Sequence, residues 1–165
     1  MDFTIRAMQE KDIKQVQNVA KLTWNATYEE IIPLAIQDKF LHAAYSNEKM
    51  HKRLNQTNLY IATRNNLVLG YANFYSLNEQ GEVELGAMYI LPEFQAKGIG
   101  TALLNEGINK LKSAGKIFAD VEKGNLVGIN FYKAKGFVVL HEFDDNLYDY
   151  HTKMLRMCLE VKEVE

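Results

Sequence analysis

The stretch from Glu82 to Leu104, EVELGAMYILPEFQAKGIGTALL, constrains this chain more than any other. A strand-like run ends at Pro92. Two glycines follow one residue apart, Gly98 and Gly100, and an apolar helical pattern begins at once. Strand, tight loop and helix N-terminus together make the geometry of an anion site. The first four amides of a helix have no intrahelical partner, and the helix dipole adds partial positive charge there. Glycine allows a tight turn and the close approach of a bulky phosphate. A diphosphate is the natural guest, and a plain turn into a helix is the competing reading.

The usual nucleotide motifs do not fit. A Walker loop needs Gly-Lys-Ser/Thr after four spacers, and FQAKGIGT has none. A Rossmann fingerprint needs three glycines early in a βαβ unit, with an acidic residue some twenty positions on. Here the loop comes late, behind strands that read as antiparallel. On two glycines alone the plain turn is favoured, because short motifs match by chance.

The rest of the chain sets the frame. Its 165 residues suit one domain over 1–165 with a real core. There is no repeat, low-complexity segment or linker at which to divide it. The formal net charge of −2 gives no basic footprint for nucleic acid. The single cysteine, Cys158, excludes an internal disulfide and a CxxC metal site. It sits in an alternating strand, as a small buried hydrophobe would. His42, His51, His141 and His151 lack metal-ligand spacing, so no metal is expected. No apolar run approaches a membrane span, and MDFTIRAMQEKD lacks a signal-peptide core. The expected address is the reducing cytoplasm.

Periodicity supplies the elements. FTIRAM alternates as a short strand. Ile13, Val16, Val19, Ala20 and Trp24 then recur at helical spacing, with Asp12 as N-cap. Helices follow from Leu34 to Tyr45 and from Ser46. NLYIATR and LVLGYANFY flank the hairpin signal Asn65-Asn66. The helix after the glycines runs from about Lys97 to Ser113, closed by Gly115. KIFADVEK is a strand. Asn125 caps a short helix that Gly136 ends. FVVLHEF and YHTKMLRMCLE form a final antiparallel pair, and the Lys/Glu tail after Leu159 is solvated. This is an α+β chain built around a mixed sheet.

Taken together, YILPEFQAKGIGTALLNEGI and NLVGINFYKAKGF resemble the GNAT superfamily of acyl-CoA-dependent N-acetyltransferases. The specific parts are the Q-x-x-G-x-G loop after a strand ending in Pro, and Asn125 followed by Phe131-Tyr132-x-x-x-Gly136-Phe137. The resemblance implies a twisted, mostly antiparallel sheet with helices on both faces. It also implies acetyl-CoA as co-substrate. Its diphosphate would be held at Gln95, Ala96, Lys97, Gly98, Ile99, Gly100 and Thr101, and its pantetheine arm along Met88, Tyr89 and Ile90. Asn125 matches the polar contact to that arm, and Gly128 stands where the family often has alanine. Tyr132 matches the general acid. A phenol near pKa 10 stays protonated at neutral pH, so it can reprotonate a thiolate leaving group whose thiol titrates near 8.5.

Glu84 is the base candidate, on the strand leading into the loop, with Glu82 on the same face. The resemblance also implies an acceptor site lined by the first helices, the sheet centre and the last hairpin. Those segments carry Trp24, Tyr28, Glu29 and Glu30, then Glu142, Asp144, Asp145 and Asp149. Aromatic faces and carboxylates attract a cationic amine. A more distant likeness to bacterial polyamine acetyltransferases points the same way. The rival class is an acyl-CoA-binding sensor without turnover, and a rival acceptor is a peptide N-terminal amine. A homodimer is the one protein partnership expected.

Overall fold

The computed structural model describes residues 1–162; residues 163–165, the end of the Lys/Glu tail, lie outside the described residues. Seven strands form one sheet: β1 (Thr4–Ala7), β2 (Asn58–Arg64), β3 (Leu67–Phe74), β4 (Glu82–Ile90), β5 (Lys116–Glu122), β6 (Val138–Leu147) and β7 (Tyr150–Glu160). Their order across the sheet is β1-β2-β3-β4-β5-β7-β6. Every neighbouring pair is antiparallel except β4 and β5. The hairpin between β2 and β3 forms as the sequence predicts. Asn65 and Asn66 take φ of 51° and 65°, the two left-handed positions that a tight hairpin turn needs and asparagine tolerates.

Five helices cover both faces: α1 (Ile13–Tyr28), α2 (Leu34–Ala44), α3 (Asn47–Gln56), α4 (Ile99–Lys110) and α5 (Leu126–Ala134). The apolar stripe of α1 packs on β3 and β4 and joins a core with Ile61, Val68 and Tyr71. On the other face α4 and α5 bury Leu103, Leu104 and Ile129 against Val83, Leu85, Ile117, Val121 and Met157. Cys158 is buried, as its strand pattern predicts.

Two expected helix ends are corrected. Asp12 does not cap α1 with its side chain. Its nearly buried carboxylate instead accepts from the Gln9 amide and pairs with both Arg6 guanidinium nitrogens, at 2.7 and 3.0 Å. Those bonds hold the carboxyl below its usual range despite burial. At its other end α4 stops at Lys110, and Gly115 is not its stop signal. The Gly115 amide donates to the Gly81 carbonyl at 2.7 Å, tying the loop before β5 to the turn before β4.

The sheet parts in the middle. β4 and β5 pair over only three positions, Glu82 to Glu84 against Lys116 to Phe118. Beyond them β5 stays with β7 as far as Glu122 against Met154, while β4 follows β3. A bulge marks the parting: Phe74 faces Leu85 and Asn73 faces Ala87, so Gly86 is the extra residue. A bulge bends its strand and ends pairing. Glycine lets the Tyr75 ring lie against the bulge, since a Cβ there would come within 2.3 Å of it and push the ring aside.

Candidate active site

The parting opens into a cleft of about 680 Å³. The free edge of β4 forms one wall, α1 another, the loop into α4 one end, and α5 with the end of β5 the rest. Backbone groups of β4 past Glu84 have no strand partner on this side. Such groups carry free energy if left dry, so the wall is built to pair with a polar chain.

The glycine loop is shaped by backbone conformation. Ala96 has φ of 59° and Gly98 has φ of 86°, so left-handed residues alternate with ordinary ones just before α4. That alternation turns successive N–H groups to one side, which makes an anion nest. It also explains why α4 starts at Ile99 and not at Lys97. The two glycines have different reasons. A Cβ on Gly98 would meet nothing within 4 Å, so its φ alone demands glycine and space remains in front of it. A Cβ on Gly100 would lie 2.9 Å from the Phe131 ring and 3.2 Å from Ile90, so Gly100 lets α4 pack against α5. Gln95 donates from Nε2 to the Ile90 carbonyl at 3.1 Å, fixing the loop to the end of β4.

Across the cleft Asn125 accepts from the Gly128 amide at 3.0 Å, as a cap should, and Gly136 ends the chain past α5 with φ of 100°. The cap brings Tyr132 to the cleft wall at 8 % exposure. Burial, then the nearby Tyr28 phenol, raises the Tyr132 pKa well above that of a free phenol. From α1 comes Tyr28, 6 % exposed, whose hydroxyl lies 3.2 Å from that of Tyr89 on β4. Both phenols are raised, chiefly by burial.

The cleft lining thus includes Met88, Tyr89, Ile90, Gln95, Ala96, Gly98, Gly100, Thr101, Asn125, Tyr132 and Tyr28 from the residues picked out in the sequence. The others lie outside that lining. The Ile99 side chain points into the core and that of Lys97 into solvent, so what these two could offer is their backbone amides. Trp24 is buried, stacked on Phe40 with ring centroids 4.3 Å apart, and Glu29 faces solvent at the end of α1. Glu84 lies outside the lining: both its oxygens bind the Arg156 guanidinium, one at 2.9 Å and one closer. Asp144 is held by Lys153 and His151, and Glu142 by Lys123. Conversely, Thr23, Ala26 and Thr27 of α1 and Asp120 of β5 line the cleft without having been picked out. Asp120 carried a readable signal, since KIFADVEK alternates apolar with polar and puts Asp120 and Glu122 on one face.

Comparison with known proteins agrees with this geometry. The model of the acetyltransferase (GNAT) family matches residues 18–137. The chain belongs to the GNAT family. It is therefore an acetyl-CoA-dependent N-acetyltransferase by family, and its parted sheet is the GNAT fold. A spermidine N(1)-acetyltransferase of Thermoplasma acidophilum is 29 % identical over 147 residues, 84 % of this chain and 90 % of that protein. An uncharacterized N-acetyltransferase of Bacillus subtilis, YuaI, is 31 % identical over 79 % of this chain and 78 % of its own length. Among solved structures, the PaiA N-acetyltransferase of Thermoplasma acidophilum in complex with coenzyme A superposes with a TM-score of 0.85 at 24 % identity. That match covers 98 % of this chain and 100 % of the other. Among the described residues no helix is long and apolar enough to cross a membrane.

Proposed function

We propose that this GNAT enzyme acetylates a primary amine of a small polycation, such as a polyamine, by direct attack on acetyl-CoA. The observation that carries the acceptor class is the charge state of the sheet face beside the cleft. The residues Glu84, Phe118, Asp120, Glu122 and Arg156 alternate with those buried under α4 and α5, so they occupy the opposite face. There α1 covers β3 and β4, and the face of β5 and β7 stays partly open. Its arginine is already engaged: Arg156 binds Glu84 and Asp120. Beside the cleft on this face an ammonium finds carboxylates and phenols. The spermidine-acetylating relative from Thermoplasma acidophilum supports the same class.

The residues fit acetyl-CoA as follows. The nest from Ala96 to Thr101 and the α4 N-terminus hold the diphosphate, with the open space at Gly98 receiving it. The pantetheine arm lies along Met88, Tyr89 and Ile90 and pairs with the free edge of β4. Asn125 contacts the arm while capping α5. The amine attacks the thioester carbonyl, and an amide of the Met88–Ile90 stretch stabilises the oxyanion. As the C–S bond breaks, Tyr132 gives its proton to the sulfur and recovers one from the new amide nitrogen. The acceptor ammonium first loses a proton to solvent, so one proton is released per turnover. With Glu84 bound by Arg156, water is the proton acceptor in this reading.

The test is thiol release from acetyl-CoA with a panel of spermidine, spermine, simple monoamines, amino acids and a peptide N-terminus, with products checked by mass. Polyamine turnover well above that of amino acids is expected. Turnover confined to amino acids or peptides refutes the acceptor class. Binding of acetyl-CoA with no turnover of any amine favours a sensor.

A further inference from the structure

Asp120 is the carboxylate that lines the cleft, and it shares its strand face with Glu122 two residues on. Strand geometry separates such a pair by about 6.6–6.8 Å. Adjacent polyamine nitrogens four methylenes apart come close to that spacing when the chain is extended, and those three methylenes apart fall short of it. Asp120 is only partly neutralised. Arg156 gives it one nitrogen at 3.2 Å and gives Glu84 two. The guanidinium lies over the Phe118 ring, 4.5 Å from its centroid, which fixes its position. Glu122 accepts from the Gly124 amide and lies near enough to Tyr28 to help raise that phenol. A second, independent feature marks this end of the cleft as the place where a ligand ends. The Tyr132 hydroxyl, on a side chain more than nine-tenths buried, opens into the cleft and takes no hydrogen bond from another described residue.

We infer that Asp120 and Glu122 form the acceptor's ammonium subsite, holding the polyamine nitrogens next to the one that reacts at Tyr132. The inference rests on the polycation reading above and adds the residues that select it. Arg156 is a positioning residue: it holds Asp120 toward the cleft and ties up Glu84. Because two carboxylates share one polyamine, a diamine gains from them and a monoamine gains little.

The experiment compares Asp120→Asn, Glu122→Gln and Asp120→Glu with the unmutated enzyme, using spermidine, butylamine and acetyl-CoA as varied substrates. With spermidine, Asp120→Asn is expected to raise KM by about three- to fivefold, the loss of one exposed charge contact, with kcat changed less than about twofold. Glu122→Gln raises it less, and Asp120→Glu restores most of the loss. KM for acetyl-CoA and kcat/KM for butylamine stay within about twofold in all three. Spermidine affinity in the presence of coenzyme A, read by calorimetry, falls in parallel and weakens with salt only in enzymes that keep the charges. Equal losses for spermidine and butylamine, or an unchanged spermidine KM in both neutral variants, overturn the subsite while leaving the acceptor class intact. No polyamine turnover by the unmutated enzyme overturns both. Should Asp120→Asn fail to fold without its Arg156 contact, Glu122→Gln, whose carboxylate makes no ion pair with Arg156, decides the same question.

Discussion

Residue chemistry separates two groups that sequence spacing treats alike. The family resemblance in the sequence made both Tyr132 and Glu84 catalytic candidates. Their surroundings differ. Tyr132 is enclosed, faces the cleft and is held protonated by desolvation, so it keeps its proton through the whole working pH range. Glu84 is the partner of Arg156, whose own pKa the pair pushes further up. Both Glu84 oxygens face that guanidinium and the residue lies outside the cleft lining, so it is not placed to take the amine's proton. Glu84→Gln is therefore expected to leave the acidic limb of the kcat/KM profile where it is, measured with saturating acetyl-CoA. A shift of that limb by about one pH unit would return Glu84 to the role of base. The sequence showed that Tyr132 and Glu84 were candidates. It did not show the Arg156 pairing, which joins residues 72 positions apart across two strand pairings.

At the scale of elements, the loop from Phe94 to Thr101 carries both a binding and a packing constraint, and the structure assigns them to different glycines. Gly98 is left-handed with open space ahead, so Gly98→Ala strains one residue by about 1–2 kcal/mol and puts a methyl into the space proposed for the diphosphate. It should raise KM for acetyl-CoA with a small fall in melting temperature. Gly100→Ala drives a Cβ toward Phe131 and Ile90 and should cost about 1–3 kcal/mol of stability, seen in thermal melts. If the two variants swap these effects, the division of labour is wrong. Hairpin, caps and helix order were legible because they depend on local rules: asparagines at left-handed positions, Asn125 before Gly128, glycine after α5. The acceptor residues were less so. Trp24 and Tyr28 lie four apart on α1 and look equivalent, yet packing against Phe40 takes Trp24 into the core and leaves Tyr28 at the cleft. Asp12 likewise reads as a cap until β1 brings Arg6 to it.

For the whole molecule, the weak place is the parting of the sheet. Among the described residues, the backbone joins β1 to β4 with β5 to β7 only through the short parallel pairing and the Gly81 bonds to Gly115 and Lys116; side chains add the Glu84–Arg156 pair and the core under α4 and α5. A ligand lying in the cleft and touching both sides joins them. Coenzyme A at about a hundred times its Kd should stabilise the fold by about 2.7 kcal/mol. For a chain of this size that is a rise in melting temperature of about 5–11 °C. No rise would mean that coenzyme A does not bind the folded chain at that concentration. A mostly antiparallel sheet with helices on both faces was implied by the family resemblance, but the strand order and the bulge at Gly86 that opens the cleft were not read from the sequence. It is a relation between Asn73, Phe74 and Tyr75 on one strand and Gly86 on the next. The measurement that tests the account most directly is steady-state thiol release by Tyr132→Phe with acetyl-CoA and spermidine, beside its acetyl-CoA affinity. The account predicts a fall in kcat of about 10²- to 10⁴-fold with acetyl-CoA binding unchanged within about twofold. An unchanged kcat in a folded, acetyl-CoA-binding Tyr132→Phe enzyme would contradict it.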